Sequence, residues 1–153
     1  MTLSFHVGDL ESFDVQALLD FHCAQMHAIS PPDACRVLPA VGLRDPSVTF
    51  WSAREDGELV GVGALKELAS DHGELKSMRT APAALGRGVG RAVLRHIVAE
   101  ARDRGYARLS LETGNTEPFT PALRLYESEG FQPWGRFGDY HDIPFSSFLS
   151  RRL

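Results

Sequence analysis

A glycine-rich segment at residues 85–92, which reads LGRGVGRA, carries the clearest chemical signal in this sequence. The alternating glycines Gly86, Gly88 and Gly90 leave the backbone bare of side chains, so a bulky ligand can approach it closely. The residues that follow have helical apolar spacing, and the first N–H groups and the dipole of that helix would point back into the segment. Such a loop binds an anion, most often a phosphate or a pyrophosphate.

Three other interpretations of this loop are a dinucleotide-binding fold, a Walker P-loop and a purely structural turn. A dinucleotide-binding fold places G-x-G-x-x-G after its first strand, whereas Gly86, Gly88 and Gly90 have another spacing and follow several predicted strands. A Walker P-loop needs Gly-Lys-Ser or Gly-Lys-Thr, which the segment lacks. Taken alone, the segment could also be a glycine-rich turn with only a structural role.

The charge distribution favours a small anionic ligand and no nucleic-acid partner. The chain has 153 residues and a formal net charge of −4, so it has no broad basic field for a polyanion. Positive charge is instead concentrated around the loop, at Arg79, Arg87, Arg91 and Arg95. We expect Arg87 and Arg91 to face the ligand and Arg95 to lie on a solvated helix face.

Length and composition predict a single domain in the cytoplasm with no membrane partner. One domain of 153 residues with 43% hydrophobic residues can bury a core. No apolar run reaches the roughly 18 residues of a transmembrane helix, and the N-terminus lacks the pattern of a secretion signal. Cys23 and Cys35 form no CxxC pair, which favours a reducing compartment in which they stay unpaired.

Hydrophobic periodicity predicts the elements that position these residues, in the order β-α-α-β-β-β-α-β-α-β-β. Strands are predicted at 3–7, 48–53, 59–65, 73–80, 107–111, 131–134 and 147–152. Helices are predicted at 13–29, from Ser30 to before Pro39, from the loop to Gly105, and from Pro118 or Pro121 to Glu129. Asp56-Gly57 predicts a hairpin, and the strand–helix–strand around the loop predicts a parallel pair. We therefore expect an α/β fold with a mixed sheet of about seven strands and helices on both faces.

Three segments together resemble the GNAT family of acyl-CoA-dependent N-acetyltransferases: 75–82 (LKSMRTAP), 87–92 (RGVGRA) and 122–131 (ALRLYESEGF). Arg87, Gly90 and Ala92 match the fixed positions of the family's acetyl-CoA motif, Q/R-x-x-G-x-G/A. The third segment resembles the later signature A-x-x-L-Y-E-x-x-G-F.

The resemblance spans residues 48–134 and, more loosely, the N-terminal helices. The segments 63–68 (GALKEL) and 111–114 (LETG) resemble a small bacterial subgroup of the family. Where many members carry an asparagine that binds the pantetheine arm, this chain has Phe119 and lacks that amide.

The resemblance implies the GNAT fold and an N-acetyltransferase that moves an acetyl group from acetyl-CoA to a primary amine of a small metabolite, by direct attack in a ternary complex and without a metal. Splaying of strand 73–80 from strand 107–111 would open a slot for the donor. Backbone groups in the first of these strands would bind the pantetheine, at Met78, Arg79 and Thr80. Backbone amides of the loop would bind the pyrophosphate, at Arg87, Gly88, Val89, Gly90, Arg91 and Ala92.

The resemblance also implies catalytic roles for a phenol and a carboxylate. Tyr126 matches the family tyrosine that protonates the departing thiolate, although it could also be a half-buried helix aromatic. An amine must lose its proton before it attacks, so a base or a water path is needed. The candidates, in order, are Glu67, Glu112 and Glu74, each of which could instead be a solvated charge at a strand end.

The first helices shape the acceptor pocket in proteins that this chain resembles. We therefore expect His27 and Ser30 to contact the substrate, while His27 could equally favour its helix C-terminus as a cation. His22 and His27 are five residues apart and diverge on a helix, so a zinc site is not expected. The alternatives to a small-amine acceptor are a protein N-terminus or lysine, or a non-catalytic acyl-CoA sensor.

The loop at 137–142 is rich in functional side chains and could close over the acceptor or contact a second copy in a homodimer. Exposure of Trp134, Phe145 and Phe148 would support the dimer. Burial of these residues in the core is the simpler account.

Overall fold

A computed structural model describes residues 2–32, 34 and 41–153 of the chain. Within them the order is β1 (Ser4–Val7), α1 (Phe13–Ile29), β2 (Val48–Glu55), β3 (Glu58–Ala69), β4 (His72–Thr80), α2 (Val89–Asp103), β5 (Arg108–Gly114), α3 (Thr120–Ser128), β6 (Gln132–Pro133) and β7 (Ser146–Arg152). Single 3₁₀ turns lie at Gly42–Arg44, Pro82–Ala84 and Glu117–Phe119. The helix predicted after Ser30 and the position of Cys35 fall largely outside the described residues.

The strands form one mixed sheet of seven, as predicted, in the order β1-β2-β3-β4-β5-β7-β6. Its pairs are antiparallel except β4 with β5, which are parallel and joined by α2. Side chains alternate between two cores because strand residues point to opposite faces in turn. Phe50 packs with α1 on one face, and the adjacent Trp51 packs with α2 on the other.

The local signals in the sequence explain where several elements begin and end. The run 13–29, with its apolar residues at helical spacing, forms α1 over the predicted residues. Asp56 and Gly57 both have positive φ, 50° and 82°, which is the turn conformation that joins tightly twisted antiparallel strands. Gly105 has φ of 82° just after α2, where a helix C-terminus favours glycine.

The parallel pairing of β4 with β5 is short, so the two strands part before they end. Only His72, Gly73 and Glu74 of β4 pair with β5, although β4 continues to Thr80 and β5 to Gly114. Beyond Glu74, β4 carries a bulge that shifts its register with β3, and Ser77 there has φ of 54°. A bulge bends its strand, so β4 and β5 separate toward their C-terminal ends.

The aromatic residues near the C-terminus are mostly packed within the chain. Phe148 is buried, and Phe145 contacts Phe119 edge to face with ring centroids 5.4 Å apart. Trp134 is half exposed, with the Arg108 guanidinium carbon 3.7 Å from the centre of its ring. Exposure of all three, which would have supported a homodimer, is therefore not found.

Glycines in β3 let α2 lie close to the sheet. A Cβ atom added at Gly63 would lie 2.8 Å from both Val93 Cγ1 and Ile97 Cδ1, and one at Gly61 would lie 2.9 Å from Val89 Cγ1. Val89 is the first residue of α2, so this packing also fixes where the glycine-rich loop ends.

We expect Gly63→Ala to lower the free energy of unfolding by about 1–3 kcal/mol, because the added methyl forces α2 away from β3. Urea unfolding followed by circular dichroism measures the change. Gly135→Ala is the matched control, since its Cβ would meet nothing within 4 Å, and its effect should stay within about 0.5 kcal/mol. Equal effects of the two substitutions would contradict the close approach of α2.

Candidate active site

A cavity of about 440 Å³ occupies the opening between β4 and β5 and is also bounded by α1 and α3. Several residues singled out from the sequence line it: Ser30, Met78, Arg79, Thr80, Gly90, Glu112 and Tyr126. The remaining predicted site residues are not part of its lining: His27, Glu67, Arg87, Gly88, Val89, Arg91 and Ala92. The opening therefore brings the β4 edge together with the predicted phenol and one predicted carboxylate.

The glycine-rich loop borders this cavity through Leu85 and Gly90, and two of its glycines have positive φ. Gly86 and Gly88 have φ of 77° and 81°, a conformation that costs residues with a side chain about 1–2 kcal/mol. A Cβ atom at either position would meet nothing within 4 Å, so the space beside the loop is open. Gly88 directly precedes α2, and Gly90 lies at the cavity wall. A Cβ atom added at Gly90 would lie 3.5 Å from Thr80 Oγ1.

The first hydrogen bond of α2 decides which loop amides can serve a ligand. The Ala92 N–H donates to the Gly88 carbonyl at 3.1 Å, so this one of the predicted phosphate-binding amides is already engaged within α2. The N–H groups of Val89, Gly90 and Arg91 precede that bond and lie outside the helical ladder. The Val89 side chain is buried in the core, which leaves only its backbone facing the loop.

The arginines of the loop are engaged with carboxylates rather than with the cavity. Arg91 forms a close ion pair with Glu129, to which Arg95 also binds at 3.0 Å. These hydrogen bonds lower the pKa of Glu129 and join α2 to the end of α3. Arg87 lies 3.6 Å from Glu55 and is half exposed. The Arg91 side chain, which we expect to face the ligand, thus binds Glu129 through Nη1 in this structure.

Tyr126 lies in α3 with its side chain buried and its ring packed edge to face against Phe131, at 5.9 Å between centroids. Burial raises the pKa of Tyr126 to about 12, and the positive charge of Arg79 partly opposes that rise. The hydroxyl is therefore protonated at neutral pH. Because Tyr126 also lines the cavity, it is both a core aromatic and a possible proton donor there.

The buried His22 and the partly buried Arg79 form a pair that faces the same cavity. Arg79 Nε donates to His22 Nδ1 at 2.8 Å, and burial lowers the pKa of Arg79. Burial and the charge of Arg79 lower the pKa of His22 to about 4. From the sequence, His22 is considered only for a zinc site with His27, which the spacing of the two residues disfavours. Its spacing from Leu18 and Leu19 on the buried face of α1 is the signal that could have placed it here.

The candidate carboxylates lie in three different environments. Glu67 is exposed, lies outside the cavity and accepts a hydrogen bond from the Tyr106 hydroxyl at 2.8 Å. Glu112 lines the cavity on the β5 side and accepts a hydrogen bond from Ser146 Oγ at 2.7 Å. The structure thus brings Glu112, but not Glu67, to the space that Tyr126 borders.

Glu74 is fully enclosed at the point where β4 and β5 part. It accepts hydrogen bonds from Lys76 Nζ at 3.2 Å and from the Tyr140 hydroxyl at 2.5 Å. Lys76 also donates to the Tyr140 oxygen at 2.8 Å, and both Lys76 and Tyr140 line the cavity. Tyr140 belongs to the loop 137–142, so this loop reaches the cavity as the sequence suggested.

Of the two residues predicted to contact the acceptor, one lies at the cavity and the other does not. Ser30 lines the cavity, whereas His27 is exposed and is not part of its lining.

Among residues 2–32, 34 and 41–153, no group of three or more histidine, cysteine, aspartate or glutamate side chains could hold a metal ion. In the same part of the chain, no helix has the length and apolar character needed to cross a bilayer.

Comparisons with known proteins agree with this geometry. A sequence profile of the "Acetyltransferase (GNAT) family" matches residues 15–131. The chain is 49% identical over 147 residues to "Uncharacterized N-acetyltransferase YsnE" of Bacillus subtilis, covering 96% of this chain and 97% of that protein. It is 50% identical over 145 residues to "Uncharacterized N-acetyltransferase YedL" of Escherichia coli, covering 95% and 91%.

Solved structures show the same fold. A Klebsiella pneumoniae protein assigned as an acyl-CoA N-acyltransferase superposes with a TM-score of 0.79 at 27% identity, over 99% of this chain and 98% of that one. A GNAT family acetyltransferase from Elizabethkingia anophelis with acetyl-CoA bound superposes with a TM-score of 0.74 at 18% identity, over 99% and 98%.

The buried His22 makes stability depend on pH in a predictable direction. Its pKa is about 4 in the folded chain against a usual 6.5, so the unfolded chain binds more protons between these values. The stabilisation is complete above pH 6.5 and is lost as pH falls toward 4, by up to about 3 kcal/mol. His22→Gln keeps a side-chain oxygen to accept from Arg79 but does not titrate, so it should flatten this part of the stability curve.

Urea unfolding at intervals between pH 7 and pH 4 measures the difference between His22→Gln and the unmodified chain. His27→Gln makes the same change at an exposed position of α1 and should leave the pH dependence unaltered. An identical pH slope in all three proteins would contradict the neutral, buried state of His22.

Proposed function

Because the chain belongs to the acetyltransferase (GNAT) family and is an acyl-CoA-dependent N-acyltransferase, we propose that it transfers an acetyl group from acetyl-CoA to a primary amine of a small metabolite. The attack is direct, in a ternary complex. The single observation that carries the proposal is the opening of β4 from β5 after Glu74, beside the glycine-rich loop and next to Tyr126. Donor, acceptor and proton donor can all meet in that one space.

The residues at this opening fit an acyl-CoA molecule. The open space beside Gly86 and Gly88 suits a bulky phosphate group, and the loop amides from Arg87 to Arg91 would bind it together with the positive end of the α2 dipole. The backbone of β4 at Met78, Arg79 and Thr80 would bind the pantetheine amides, since this stretch has no partner strand on its β5 side. The Elizabethkingia protein, which shares this fold, has acetyl-CoA bound, and this supports acetyl-CoA as the donor.

Phe119 takes the place of the asparagine found in many family members, and the structure shows how that position is filled. Its ring is buried against Phe145, and a Cβ atom added at Gly114 would clash with the Phe119 ring. The aromatic therefore offers an apolar wall to the pantetheine arm where an amide would offer a hydrogen bond. Donor binding in this chain depends correspondingly more on backbone groups.

The donor supplies an acyl group activated as a thioester, and the chain supplies orientation and proton transfer. The Tyr126 hydroxyl would donate a proton or a hydrogen bond to the sulfur that leaves. A phenol with a pKa of about 12 is fully protonated at neutral pH, which a general acid requires. The charge of Arg79 favours the anion that remains after the donation.

We propose Glu112 as the group that receives the proton of the acceptor amine. It lies on β5, on the opposite side of the opening from β4, and lines the cavity. Glu67 is less suited because its carboxylate lies outside the cavity and holds Tyr106. Glu74 is enclosed by Lys76 and Tyr140, so an acceptor would reach it only through those side chains.

We expect Tyr126→Phe to lower kcat by about 100-fold or more while the Kd for acetyl-CoA stays within about twofold, because the ring remains and only the proton donor is lost. Release of free thiol, measured with acetyl-CoA and a panel of primary amines, gives kcat. Tyr106→Phe is the matched control, because its hydroxyl binds Glu67 outside the cavity. No thiol release with any amine, or an unchanged kcat in Tyr126→Phe, would contradict the proposal.

Gly88→Ala should raise the Kd for acetyl-CoA by about tenfold, because a residue with a side chain resists a φ of 81° and shifts the loop amides. Calorimetric titration measures this Kd. Gly57→Ala introduces the same strain, at a φ of 82° in the distant hairpin, and should leave the Kd unaltered. If both variants bind acetyl-CoA like the unmodified chain, the loop does not hold the donor.

A further inference from the structure

The α1 side of the cavity holds a positive charge that no aspartate or glutamate of the described part of the chain neutralises. Arg79 lines the cavity and is largely withdrawn from solvent. Its described contacts are the hydrogen bond from Nε to His22 and the ring of Phe21, whose centroid is 5.7 Å from the guanidinium carbon. Across the described ranges 2–32, 34 and 41–153, Arg79 forms no ion pair with an aspartate or glutamate.

His22 orients this charge without reducing it. The Nδ1 atom of His22 accepts the hydrogen bond, so the imidazole is neutral and carries its hydrogen on Nε2. The pair therefore has a net charge of about +1 at neutral pH, from the guanidinium alone. Because Nε is occupied by His22, a carboxylate that binds with two oxygens would engage the two terminal nitrogens of Arg79.

The two other charged side chains that line the cavity, Lys76 and Glu112, lie on β4 and β5. Lys76 is held by Glu74 in the enclosed cluster where the strands part. Glu112 adds a negative charge on the β5 side. The cavity is thus positive toward α1 and negative toward β5, and its lining also includes apolar residues, among them Met26, Leu75 and Leu125.

We propose that Arg79 binds a carboxylate of the acceptor, so the acceptor is an amine that also carries a carboxylate group, such as an amino acid. A planar guanidinium, fixed in orientation and partly desolvated, matches the two oxygens of a carboxylate. The amine of such a molecule would lie toward Glu112. This inference rests on the proposed function, which places the acceptor in the same cavity as Arg79.

The test compares pairs of ligands that differ only in the anionic group. N-acetyl amino acids and their C-terminal carboxamides are titrated calorimetrically into the protein saturated with coenzyme A. The panel includes aliphatic, polar, aromatic and acidic side chains. We expect at least one carboxylate to bind about 10- to 100-fold more tightly than its carboxamide, as for a charged hydrogen-bonded pair.

Arg79→Gln should reduce this preference to within about twofold, and Arg79→Lys should retain only part of it because lysine cannot bind in the bidentate mode. Arg102→Gln is the matched control, since Arg102 is exposed in the last turn of α2 and should keep the full preference. Thermal unfolding and the Kd for coenzyme A, measured on each variant, show that the fold and the donor site are intact. Both Arg79 variants keep a long side chain beside His22.

The inference would be overturned if carboxylates and carboxamides bind equally, or if neither binds. It would also be overturned if the preference for carboxylates survives in Arg79→Gln. Thiol release with free amino acids and with amino acid amides separates two further cases. If Arg79→Gln lowers kcat equally with both acceptors and leaves KM unchanged, Arg79 serves Tyr126 and the inference fails. If carboxylates bind through Arg79 but no amine releases thiol, the proposed function fails while the carboxylate site stands.

Discussion

The parting of β4 from β5 is the constraint on which the site depends. Only three residues of β4, ending at Glu74, make the parallel pairing, and beyond them each strand has an edge of peptide groups without a strand beside it. Such groups must find water or a ligand, since a buried peptide group without a partner is costly. The bulge at Ser77 turns β4 away from β5 and so keeps the two edges apart.

The surrounding elements hold this opening in a fixed shape. Gly61 and Gly63 allow α2 to lie directly on β3, which sets the position of the glycine-rich loop. On the other side of α2, Arg91 and Arg95 bind Glu129 and so fix the end of α3, the helix that carries Tyr126. Charges near the loop thus act in part as structural links between helices, and the backbone is left to meet the anion.

Sequence periodicity and turn chemistry predicted most of the fold because these signals are local. The bounds of α1, the hairpin at Asp56-Gly57 and the mixed seven-stranded sheet all follow from spacing and turn residues within short windows. The paired segments 87–92 and 122–131 predicted the family. Strand β5 runs to Gly114, beyond the predicted end at Leu111, because its polar last residues pair with β7.

The details of the site were harder to predict because they depend on contacts between distant parts of the chain. Arg91 meets Glu129 across 38 positions, and Tyr106 meets Glu67 across 39, so neither partner is visible in a local pattern. His22 lies beside Arg79 only because α1 packs over β4, 57 positions away. Residue types indicated the candidates, and the packing of the sheet decided which of them share the cavity.

Hydrogen–deuterium exchange with and without acetyl-CoA tests most directly the claim that the donor binds along the open edge of β4 and at the start of α2. The account predicts slower exchange in peptides covering residues 75–81 and 86–91 when acetyl-CoA is bound, with no change in a peptide covering the distant strand β2. Unchanged exchange in both of the first two regions at saturating acetyl-CoA would contradict it.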